Sequence, residues 1–132
     1  MRAVLDANVL ISAALSPRGT PGRLLNRWRA GEFELIVSER LLAELWDALQ
    51  YRKLRDRVPA EDAREFVSRL RALATAAPDP PDAPRRSEDP ADDYLLALAE
   101  AERAVLVSGD RHLLDLADTL PVRSPRNFLD SL

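Results

Sequence analysis

Residues 2–5 (RAVL) form a short, largely apolar run that reads as a buried strand and ends on Asp6. Val9 to Leu15 continues apolar and predicts a helix, stopped by Ser16-Pro17-Arg18-Gly19. Thr20-Pro21 predicts the next helix start, with threonine as cap and proline in the first turn. That helix carries Leu24, Leu25 and Trp28 inward and ends at Gly31. Phe33 to Val37 (FELIV) is a second strand by its β-branched and aromatic content. Ser38 then caps a helix to about Leu49, with Leu41, Leu42, Leu45, Trp46 and Leu49 as its apolar stripe. After a basic stretch, Pro59 precedes a helix carrying Phe66, Val67, Leu70 and Leu73.

From Ala77 to Pro90 the chain reads as loop, because five prolines and four acids fall there. Neither flank is self-sufficient, so the segment is a surface excursion and residues 1–132 form one domain. Asp92 to Glu102 predicts a helix, Ala104 to Ser108 (AVLVS) a strand, and Arg111 to Leu116 a short helix. Pro121 to Arg123 is a final short strand, and Asn127 to Leu132 a terminal helical turn. Strands alternating with helices imply an α/β sandwich: a parallel sheet covered on both faces.

Composition narrows the chemistry. With 46% hydrophobic and 31% charged residues, the chain is a globular protein rather than a disordered one. No apolar run approaches the roughly 20 residues that span a bilayer, and the N-terminus lacks the basic start of a signal peptide. A cytoplasmic location is therefore expected, without a membrane partner. There is no cysteine and one histidine, His112, which excludes thiolate sites and multi-histidine zinc chemistry. The net charge of −3 argues against holding nucleic acid by overall positive charge. It leaves a nuclease open, because acids at a metal site can offset basic residues elsewhere.

Those acids have a pattern. In an open parallel sheet, sites form beyond the carboxyl ends of the strands. Asp6 ends the first strand and Asp110 follows AVLVS by one glycine, so topology alone places both at one edge. Glu44 lies on the helix after FELIV, and Asp92 starts the helix before AVLVS; both elements reach that edge. Clustered carboxylates repel, and a hard divalent cation removes the penalty. Mg²⁺, with Mn²⁺ as substitute, prefers oxygen ligands and can activate water for attack on a phosphodiester. Asp6, Glu44, Asp92 and Asp110 are thus the candidate metal ligands and catalytic residues.

The same residues carry a resemblance. Leu5-Asp6-Ala7-Asn8-Val9-Leu10-Ile11-Ser12 resembles the opening motif of PIN domains, the nuclease fold of VapC-type toxins. Glu44-Leu45 resembles the family's glutamate, and Asp89-Pro90-Ala91-Asp92 with Leu95 to Ala99 its third motif. Ser108-Gly109-Asp110 with Leu113-Leu114 resembles the fourth, and Ser124 to Leu129 the family's close. The resemblance covers essentially the whole chain, in order. It implies a mainly parallel five-stranded sheet within a three-layer sandwich and a Mg²⁺-dependent endoribonuclease acting on single-stranded RNA. It further implies a toxin role with a cognate antitoxin partner, and a homodimer.

Each candidate also has a plainer reading. Asp6 and Asp110 can cap the helices that follow them, and Glu44 can be a solvated helix residue. Asn8 either orients Asp6 or a metal-bound water, or caps a helix. Ser108 either contacts a carboxylate or metal water, or simply ends a strand. Arg18 and Arg111 are the arginines placed to meet substrate; Trp28 and Trp46 stand at core spacing, and His112 reads as a surface residue. Asp92 shares its helix face with Leu95, Leu96 and Ala99, whereas Asp93 lines up with Ala97 and Glu100 toward solvent. Competing functions are a catalytically silent binding module and a DNA flap-type nuclease. A haloacid-dehalogenase phosphatase needs an aspartate at position 8, where Asn8 stands, and a response-regulator receiver needs a lysine late in the chain, where there is none.

Overall fold

The computed structural model describes all of residues 1–132. Five strands form one sheet: β1 (Arg2–Leu5), β2 (Glu34–Val37), β3 (Thr75–Ala76), β4 (Val105–Val107) and β5 (Val122–Arg123). Their order is β3-β2-β1-β4-β5, and every neighbouring pair is parallel. The chain steps outward from β1 to β2 and β3, then returns to the other side of β1 for β4 and β5. The strand order therefore reverses between β1 and β4, the position where open α/β sheets form their binding crevices.

The helices are α1 (Ala7–Leu15), α2 (Thr20–Arg29), α3 (Glu39–Leu49), α4 (Arg52–Arg55), α5 (Ala60–Leu73), α6 (Pro90–Ala101), α7 (Arg111–Leu114) and α8 (Pro125–Asp130). Side chains alternate across each strand, and the two faces meet different helices. Ala3, Leu5, Leu35, Val37 and Val107 pack with α1, α2, α3, α5 and α8. Val4, Ile36, Leu106 and Val122 pack mainly with α6 and α7 on the opposite face. Three layers result, and the sheet is wholly rather than mainly parallel.

Several boundaries differ from the sequence expectation for identifiable reasons. Strand β3 lies where no strand was predicted; two residues long, it is too short for periodicity and is defined only by pairing with Ile36 and Val37. Helix α1 begins at Ala7 rather than Val9, because the Asp6 carboxylate caps it by accepting from Val9 N. Thr20 is not a cap: Gly19 occupies that position, with no side-chain bond. The basic stretch holds the short helix α4. Leu73, expected inside, is 67% exposed at the last residue of α5. Ser38 does cap α3, accepting from Leu41 N at 3.3 Å. Trp28 and Trp46 are partly buried against the core.

Candidate active site

Register builds the site. Leu5 pairs with Val107, so the next residues along, Asp6 and Ser108, face each other as the strands end. Asp6 is 6% exposed and fully engaged: Oδ1 accepts from Val9 N at 2.8 Å, and Oδ2 accepts from the Ser108 hydroxyl at 2.5 Å. Ser108 Oγ in turn accepts from Asp110 N at 3.0 Å, tying the β4–α7 turn to Asp6. The capping and the site readings of Asp6 are therefore compatible. Burial raises its pKa, the Ser108 and Val9 hydrogen bonds oppose the rise, and the Asp110 charge adds to it.

Asp110 caps α7 by accepting from His112 N at 2.8 Å. Asp92 sits in the first turn of α6, and its pKa is pushed up to about 6. Burial is the leading cause, followed by the charges of Asp110, Asp89, Asp6 and Asp93. Glu44 is also raised, again chiefly by burial, while Tyr94 and Arg40 lower it and Asp89 and Asp6 raise it. Asp6 thus interacts with each of the other three predicted acids, and Asp92 with Asp110 as well. The acids ring the edge between β1 and β4 rather than converge: no three acidic or histidine side chains are close enough to share one ion as they stand.

The helix-face assignment of Asp93 is corrected. Asp93 is 3% exposed, more deeply covered than Asp92. Its Oδ1 accepts from Arg86 N at 2.9 Å, Ser87 N at 2.8 Å and Ser87 Oγ at 2.8 Å. The segment before α6 folds over the first turn and covers the face that periodicity assigns to solvent. Burial alone would raise the Asp93 pKa, but these donors outweigh it and the net shift is downward. Asp93 is a loop anchor, and Asp92 is the acid turned to its fellow carboxylates.

Asn8 is exposed; its side chain borders a groove shared with Ser12, Pro21, Gly109, Asp110 and Pro125, next to the acids. Arg18, in the turn before α2, and Arg111, the first residue of α7, are both exposed. His112 is exposed and lies 3.8 Å from Glu88. Three site neighbours escaped the sequence reading. Asp89 caps α6 and adds charge beside Asp92 and Glu44; its place before a helix-starting proline was the available signal. Arg40, one turn before Glu44, reaches it at 3.9 Å. Tyr94 underlies that pair, and its apolar helix position concealed a polar contribution.

A parallel sheet with an acidic cluster at its reversal point defines an α/β protein with a candidate phosphodiester-cleaving edge. The PIN-domain family profile matches residues 2–112, and the chain belongs to the PIN-domain family, whose members are generally nucleases. An uncharacterised protein of Methanocaldococcus jannaschii is 26% identical over 144 aligned positions, covering 98% of this chain and 90% of that protein. Among solved structures, a protein of Pyrobaculum aerophilum superposes with a TM-score of 0.68 at 19% identity, over 99% of this chain and 94% of that one. VapBC2 of Rickettsia felis, bound to a DNA fragment from its promoter, gives a TM-score of 0.66 at 14% identity, over 94% and 98%. These likenesses show the shared fold. No helix is long and apolar enough to cross a membrane.

Proposed function

We propose that this chain is a Mg²⁺- or Mn²⁺-dependent endoribonuclease of the cytoplasm that cuts single-stranded RNA, the toxin of a toxin–antitoxin pair. The observation that carries this reading is the set of mutually repelling carboxylates at the sheet's reversal point, with Asp92 raised to about 6. A fold does not hold such a set without a counter-charge except at a cost. Oxygen-only donors, without thiol or paired imidazole, suit a hard cation. Asp6, Glu44, Asp92 and Asp110 would hold the metal, which supplies charge for the phosphodiester and an activated water. Ser108 fixes the Asp6 carboxylate, and the groove past Asn8 and Ser12 offers a path for an unpaired strand. The fold shared with VapBC2 supports an antitoxin partner, and a homodimer is proposed on the resemblance of the motifs to the VapC type alone.

The open spacing of the acids favours one rival, a catalytically silent binding module. One experiment decides between them. Purified protein should cut an unstructured RNA with Mg²⁺ or Mn²⁺, stop with chelator and resume when metal is restored. Cleavage that survives exhaustive chelation excludes the metal mechanism, and no cleavage under any metal leaves the binding module.

A further inference from the structure

Tyr94 is 1% exposed, and its hydroxyl, near enough to Glu44 to lower that carboxyl's pKa, meets no acceptor in hydrogen-bond geometry. A buried hydroxyl left without a bond is costly, so its retention calls for a reason. Its surroundings are specific. The Arg40 guanidinium lies over the ring, 3.9 Å from the centroid, and the same guanidinium reaches Glu44 at 3.9 Å, the outer limit of an ion pair. Glu44 and Asp79 are the acids whose charges bear on the hydroxyl, Glu44 the more strongly. Asp79 uses Oδ2 to accept from Arg40 N at 3.1 Å, and its buried Oδ1 is unpartnered. A tyrosine hydroxyl, with an ordinary pKa of about 10, is a donor at neutral pH.

We propose that Tyr94 is a positioning residue for Glu44, its unpartnered hydroxyl donating to that carboxylate when Glu44 turns inward to share a divalent cation with Asp6 and Asp92. The ring holds Arg40 by its face, which keeps the guanidinium from drawing Glu44 outward into a close pair. One carboxylate oxygen is then fixed by Tyr94 and the other is free for the metal. Ligating carboxylates are commonly held by such partners, and loss of the partner weakens metal binding by about 10–100-fold. This inference rests on the metal-dependent reading above.

Tyr94→Phe keeps the ring under Arg40 and removes only the hydroxyl. Calorimetric Mn²⁺ titration should show binding weakened by about tenfold, and cleavage at saturating RNA and fixed subsaturating Mn²⁺ should fall with KM for RNA little changed. In chelator, urea denaturation should show the variant at least as stable as wild type, since a hydroxyl without a partner contributes no bond. A purely structural hydroxyl gives the reverse: lower stability in chelator and unchanged Mn²⁺ affinity, and that result overturns the proposal. In a Glu44→Gln background, Tyr94→Phe should have almost no further effect on Mn²⁺ affinity. An effect that persists there and vanishes with Asp79→Asn assigns the hydroxyl to Asp79 instead. Wild-type protein that binds no Mn²⁺ sinks the functional reading itself, a result distinct from wild type and Tyr94→Phe binding equally well.

Discussion

A carboxylate that titrates near pH 6 makes stability depend on pH in a defined direction. Asp92 is raised to about 6 in the fold from an ordinary value of 3.8. The folded chain therefore holds a proton that the unfolded chain releases, and stability falls as pH rises from about 4 to about 6. Asp6 and Glu44, both raised, act in the same sense; Asp93 and Glu34, both lowered, act in the opposite sense. Urea denaturation in chelator should show Asp92→Asn losing less stability than wild type across that window. Parallel curves would mean that Asp92 titrates as an ordinary surface acid. Its neighbour should behave otherwise. Asp93→Ala strands the backbone amides of Arg86 and Ser87, and a loss of about 1–3 kcal/mol is expected. Helical periodicity puts the two aspartates on different faces, but it carries nothing about a preceding loop that folds back over one of them. The place of Asp92 beside Asp6 and Asp110 was legible in the sequence, and the burial of Asp93 was not.

Elements with a strong pattern of their own were read correctly, whereas β3, defined only by its partner, was not. Strand β2 and helix α3 announce themselves through ELIV and the leucine stripe. Strand β3 exists only because Val37 and Ile36 offer an edge to Thr75 and Ala76. Thr20 shows the same limit: it has the right side chain for a cap, yet the tight turn at residues 16–19 makes Gly19 the boundary. That turn also explains Gly22, where a Cβ would overlap the Pro17 carbonyl. Gly22→Ala should push α2 away from the turn and lower stability by about 1–3 kcal/mol, as overpacking does. Thermal unfolding measures this directly, and an unchanged midpoint would show that the turn yields freely.

For the molecule as a whole, the acids make the fold and a cation interdependent. A ligand at about 100 times its Kd adds roughly 2.7 kcal/mol to a fold that binds it only when native. The unfolding midpoint should therefore rise with Mn²⁺, and much less in Asp6→Asn; equal rises in both would remove Asp6 from the ligand set. Sheet order matters at this scale too. Asp6 and Ser108 meet across 102 residues of sequence, through the pairing of β1 with β4. Contacts of such separation form late, because the chain between them must first be closed into a loop. A nascent chain emerging from the ribosome would hold Asp6 and Glu44 well before Asp92 and Asp110 exist. Until β4 docks, β1 keeps one edge unpaired and the acidic rim is half built. The order of synthesis therefore keeps the rim incomplete until β4 and the turn after it have been made, a delay written into the strand order itself.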